Sequence, residues 1–128
     1  MSSVIVVNRE NHRVERRAGT VVAKIWRRPD LSREEGANLA ELLQGTLIEE
    51  AARSSAMRLV FDLSEAHSVW GPRTHQALVA MFGAWKGKSI VMIAPEAITR
   101  IGLQQVCKAA GVTTGRVVRT VKEVENYE

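Results

Sequence analysis

The chain reads as one α/β domain over residues 1–128, with a mixed β-sheet (an N-terminal hairpin plus parallel strands) covered by about four helices. Three observations predict this. The chain has 128 residues and is 45% hydrophobic, enough for a single buried core. Short β-branched or continuously apolar runs alternate with longer segments of helical periodicity. Turn and capping residues fall between the two kinds of segment. Strands that alternate with helices pair in parallel through right-handed crossovers.

Val4-Ile5-Val6-Val7 is an apolar, β-branched run and predicts a strand. His12 to Arg17 alternates weakly around Val14, as expected of a polar edge strand. Ala18-Gly19 makes a tight turn into Thr20–Trp26, a stronger strand, which closes the hairpin. Pro29-Asp30-Leu31 breaks that strand. Ser32 and Glu35 form a capping box that starts a helix. Leu39, Leu42, Leu43 and Leu47 make its buried stripe, and Ser54-Ser55 ends it.

Met57 to Leu63 is a buried strand. Gly71-Pro72 opens the second helix, with proline at the favoured first position and Leu78, Met81, Phe82 and Trp85 as the buried stripe. Ile90 to Ala94 is continuously apolar, the mark of a strand covered on both faces. Pro95 starts a third helix, with Ile98, Ile101 or Gly102, Gln105 or Val106, and Ala109 facing inward. Gly111 lies just past its end. Arg116 to Arg119 is a short strand. A second capping box, Thr120 with Glu123, predicts a small last helix carrying Val121 and Val124.

Composition narrows the function classes. No apolar run approaches the roughly 20 residues that cross a bilayer, and no signal peptide is expected at the N-terminus. One cysteine, Cys107, permits no internal disulfide and suits a reducing compartment, so a cytoplasmic protein is expected. Cys107 lies mid-helix, where nothing lowers its pKa, and reads as a packed thiol. The net charge is +4, with seven basic residues between Arg9 and Arg28. Nucleic-acid binders interleave such stripes with stacking aromatics, and only Trp26 is present there. A solvated basic face is expected, with no nucleic-acid partner and no membrane partner.

Gly83 to Ser89 superficially looks like a phosphate-binding loop. The first glycine of that motif would stand where Phe82 is, and the segment leads from helix into strand, the reverse of the order that aims helix amides at phosphates. Asp62, Ser64, His67, Ser68, Thr74 and His75 supply residue types for a hydrolase. The strained Gly-x-Ser-x-Gly turn is missing, and an exposed loop histidine is the expectation. His12, His67 and His75 lack the spacing of metal ligands. No catalytic residue, metal or cofactor is expected.

From about Gly19 onward the order of elements resembles a STAS (SpoIIAA-like) domain. The best local match is Leu59-Val60-Phe61-Asp62-Leu63-Ser64, an apolar strand that ends in an Asp-Leu-Ser-type tripeptide. A loop, a helix, the Ile90–Ala94 strand, a Pro-containing loop and a helix ending at Gly111 follow in the family's order. Gly115 to Val124 looks like its terminal strand and helix. The resemblance implies a regulatory, protein-interaction domain whose partner is a protein such as a kinase or a sigma-factor regulator, or a second copy in a homodimer. Family members that act as anti-sigma-factor antagonists carry an Asp-Ser pair that receives phosphate. Here those positions hold Trp70 and Gly71, so the resemblance implies the interaction fold without the phospho-switch.

The candidate partner surface is therefore the loop and helix start formed by His67, Ser68, Trp70, Gly71, Arg73 and Thr74. Ligands of open α/β sheets meet the carboxyl ends of strands, helix N-termini attract anions, and tryptophan and arginine are enriched at binding hot spots. Whether Trp70 projects outward or packs on the core edge stays open. A reading from another class is a small-molecule site, for a lipid or an anionic metabolite held between sheet and helices, as in SEC14-type domains.

Overall fold

The computed structural model describes residues 3–66, 70–125 and 127. Three antiparallel strands come first: β1 (Val4–Asn8), β2 (His12–Arg17) and β3 (Thr20–Trp26). Ala18 and Gly19 join β2 to β3, and Gly19 supplies the positive φ of 72° that the two-residue turn requires. The helix α1 (Arg33–Arg53), β4 (Arg58–Glu65), α2 (Pro72–Ala84), β5 (Ser89–Ile93), α3 (Ala97–Ala110) and β6 (Gly115–Val118) follow. The six-stranded sheet runs β1-β2-β3-β4-β5-β6, parallel from β3 onward.

This order dictates a layered asymmetry. Each parallel strand is added on the same side of its predecessor. Right-handed crossovers that always advance in one direction place their helices on one face of the sheet. Val21, Ala23, Leu59, Phe61, Ile90 and Met92 point to that face and share a core with Leu43, Leu47, Leu78, Phe82 and Leu103 from the helices. Phe61 meets Phe82 edge-on, with ring centres 5.1 Å apart. Trp85 is fully buried and donates its indole N–H to Leu47 O at 3.0 Å, so its polar atom is satisfied.

The opposite face carries Val22, Val60, Val91, Ile93 and Val118. The C-terminal segment covers it with Val121, Val124 and Tyr127. Arginines hold this cover by its backbone: Arg58 donates to Glu125 O at 2.8 Å, and Arg17 donates to Tyr127 O. Tyr127 donates its hydroxyl to the buried Asp62 carboxylate.

Four expectations need correction. Among the described residues there are three α-helices, and the expected fourth is a single 3-10 turn, Val121–Glu123. Its capping box forms, but Val124 returns to extended backbone so that its side chain reaches the sheet. β2 is not an edge strand, because β1 takes the edge, and His12 and Val14 are buried beneath the helices. On α3 the buried residues are Thr99, Leu103, Val106 and Cys107, while Ile98 and Ile101 are 60% and 55% exposed. The helix starts at Ala97 rather than Pro95, and of the expected stripe Val106 is among the buried residues. Leu42 is likewise exposed, and Ala37 and Glu50 extend the buried face of α1 instead.

Other expectations hold. The Ser32–Glu35 capping box forms in both directions, at 2.8 and 3.1 Å. Gly111 ends α3 at φ 72°. Gly83 to Ser89 leads from α2 into β5. The Cys107 thiol is buried, and burial pushes its pKa up. No helix is long and apolar enough to cross a membrane among the described residues.

Candidate functional site

Trp70, Gly71 and Thr74 come together, and with them they bring residues from the far end of the sequence. Gly71 caps α2 with no side-chain hydrogen bond, and Pro72 occupies the first turn. Trp70 is half-buried against the core. Its ring lies on Gly102 of α3 so closely that a Cβ there would sit 2.9 Å from Cζ2. Its indole N–H donates to His75 Nδ1 at 3.4 Å. Arg73 points away toward α1, donating to Glu41 at 2.8 and 3.1 Å and to Asn38 at 2.9 Å. That bonding holds the Glu41 carboxyl below its usual range and raises Arg73. Arg73 thus ties α1 to α2. His67 and Ser68 lie outside the described residues.

Trp70, Gly71 and Thr74 line a cavity of about 600 Å³ between the helices and the carboxyl ends of β3 and β4. Ile25, Leu43, Phe61, Leu63, Leu78 and Met81 make its apolar wall. Arg27, Arg28 and Arg33 stand among the lining residues contributed by the β3–α1 connection and the start of α1. Arg28 is engaged by Asp30 at 2.6 and 2.7 Å. The volume and lining match those of small-molecule sites, mostly apolar with few polar groups.

Two of those polar groups are distinctive. His12 is 1% exposed and Thr99 is 3% exposed, and both line this cavity. Among the described residues, His12 Nε2 and Thr99 Oγ1 are the buried side-chain polar atoms that lack a hydrogen-bond partner. Leaving such an atom unsatisfied costs about 1–3 kcal/mol. The opposite ring nitrogen, His12 Nδ1, lies 2.7 Å from Asn11 Oδ1. The amide oxygen accepts, so Nδ1 carries the proton and Nε2 presents a lone pair. Burial, aided by Arg9 and opposed by Glu10, lowers the His12 pKa to about 4, so the ring is neutral at physiological pH. The hydroxyl of a helical threonine ordinarily turns back to the carbonyl four residues earlier. For Thr99 that is Pro95 O, which already accepts from Arg100 at 2.6 Å.

Among the described residues that suggested hydrolysis, Asp62 and His75 lie apart. Asp62 points to the face under the C-terminal segment, where it accepts from Ser64 N at 2.8 Å and from Tyr127. His75 is on α2, across the sheet from it. Among the described residues no three His, Cys, Asp or Glu side chains gather into a metal-binding group.

His12 and Thr99 were not singled out from the sequence as site residues. The signal for His12 was its shared parity with Val14: two residues apart on a strand, they face the same way. No protein-family model matches the sequence, and no curated protein matches it as a relative.

Proposed function

We propose that this chain is a non-catalytic regulatory domain of STAS-like type that takes a small, largely apolar molecule into its helix-side cavity. One observation carries the reading. Two residues that carry buried polar atoms without partners, His12 of β2 and Thr99 of α3, line the same apolar cavity. A binding site needs a few polar groups in an apolar wall, and these two residues supply them. The order of elements and the Asp62-Leu63-Ser64 tripeptide near the end of β4 support the STAS-like part of the reading. Gly71, in place of an acceptor serine, supports regulation by ligand rather than by phosphate in this loop.

Native mass spectrometry of the purified protein tests it. A molecule retained under gentle ionisation and lost on denaturation is expected. Binding of the fluorescent apolar probe 1-aminoanthracene, abolished by filling the cavity with Ala40→Trp, gives the same answer without a natural ligand. A protein that carries no added mass and binds no probe rules the proposal out.

A protein partner is the second reading, favoured by one observation. Ile98 and Ile101 are exposed one turn apart on α3, beside the glycine on which Trp70 rests. A kinase, a sigma-factor regulator or a second copy of the chain would cover them. Light scattering of wild type and Ile101→Glu distinguishes the homodimer, since only the wild type would self-associate.

A further inference from the structure

We infer that the occupant of the helix-side cavity is an apolar molecule bearing an uncharged hydroxyl whose O–H donates to His12 Nε2, with Thr99 Oγ1 as its second polar contact, an inference that rests on the cavity reading above. The chemistry follows from what each buried atom can do. Asn11 Oδ1 accepts the hydrogen bond from Nδ1–H, so the other ring nitrogen of His12 is an acceptor. An acceptor is completed by a donor. A carboxylate brings only lone pairs and would set them against the lone pair of Nε2. An ether or ketone has the same defect. A hydroxyl supplies a proton to His12 and still has lone pairs for the Thr99 O–H.

The surroundings keep His12 in this role. Burial disfavours the imidazolium, Arg9 disfavours it further, and Glu10 is the group that opposes them. A deeply placed anion would need the ring to be protonated. The remainder of the wall, Ile25, Phe61, Leu63 and Met81, accepts hydrocarbon. Arg27 and Arg33 also line the cavity and would attract an anionic end. A fatty carboxylate is therefore the decisive competitor.

The test displaces 1-aminoanthracene from the 128-residue chain at neutral pH with three competitors that share a twelve-carbon chain: 1-dodecanol, dodecyl methyl ether and laurate. The alcohol is expected to compete at a concentration roughly tenfold below that of the ether, the scale of one buried acceptor left without a donor. In His12→Phe that preference should shrink to about twofold or less, while the probe still binds. Thr99→Val, close in shape and lacking only the hydroxyl, should reduce the preference partway, and it keeps the test valid if the His12 variant does not fold. Equal competition by alcohol and ether in the wild type overturns the inference. So does laurate competing best. In both cases, continued probe binding leaves the cavity reading standing. Failure of the probe to bind the wild type overturns the cavity reading itself and this inference with it.

Discussion

At the scale of single residues, His12 links the cavity to folding stability. Its pKa falls from 6.5 to about 4 because burial disfavours the charged ring. The unfolded chain therefore binds a proton that the folded chain refuses between those values. The stability tied to the neutral ring is complete above about pH 6.5 and is lost as pH falls toward about 4. The slope is about 1.4 kcal/mol per pH unit at most, a total of about 3 kcal/mol. Urea melts across this range should show the slope in wild type and lack it in His12→Phe, whereas parallel profiles would mean that the ring titrates normally. Trp70 and Arg73 separate in the same kind of measurement. Arg73 makes a surface ion pair, so Arg73→Ala should leave the melting temperature nearly unchanged. Trp70→Ala removes a half-buried ring from the core edge, and a loss of about 2 kcal/mol, roughly 5–10 °C, is expected. A melt equal to the wild type would instead return Trp70 to the surface.

At the scale of elements, the contact between the start of α2 and the middle of α3 is a ring laid on a glycine. Ala is ordinarily better than Gly inside a helix by about 1 kcal/mol. At Gly102 the added methyl would meet Trp70 Cζ2 at 2.9 Å, and such overpacking costs about 1–3 kcal/mol. Gly102→Ala should therefore destabilise the wild type and stabilise Trp70→Ala. Thermal melts of the two singles and the double give the coupling directly. If Gly102→Ala has the same sign in both backgrounds, the ring does not rest there. This contact also shows where sequence reasoning stopped. The α2 stripe of Leu78, Met81, Phe82 and Trp85 was legible because it repeats at helical spacing, and all four are buried. The α3 stripe was legible only at Val106, because Ile98 and Ile101 face outward and Gly102, which has no side chain of its own, packs under Trp70 from another element. The same holds for the cavity. Trp70, Gly71 and Thr74 stand at the start of α2. His12 and Thr99 became visible as partners of that site only when the chain order of the sheet was known. His12 to Arg17 reads as an edge strand, since nothing local says that Val4–Asn8 takes the edge position instead.

At the scale of the whole molecule, a sheet with all its helices on one face needs a cover for the other. Here the last residues provide it, through contacts no local pattern announces: Tyr127 and Asp62 are 65 positions apart. Tyr127 is the chain's single tyrosine, which makes it a clean reporter of that cover. Burial, and then its hydrogen bond to Asp62, raise the phenol pKa above the usual value of 10.0. The folded state thus favours the protonated phenol. The stability it contributes is fully present below pH 10 and is lost as pH rises beyond, toward the folded-state pKa. In a spectrophotometric titration, phenolate should appear later than in an unfolded control, together with loss of the C-terminal cover. Asp62→Asn removes the charge that opposes phenolate and should bring the titration back toward the ordinary value. Tyr127→Phe should keep the cover but leave Asp62 with an unmet bond, lowering stability by about 1–3 kcal/mol at neutral pH. Deleting residues 121–128 should cost more, because Val22, Val60, Val91 and Ile93 lose their apolar cover as well. A tyrosine that titrates at its ordinary pKa in the intact protein would mean that the second face of the sheet is covered in some other way.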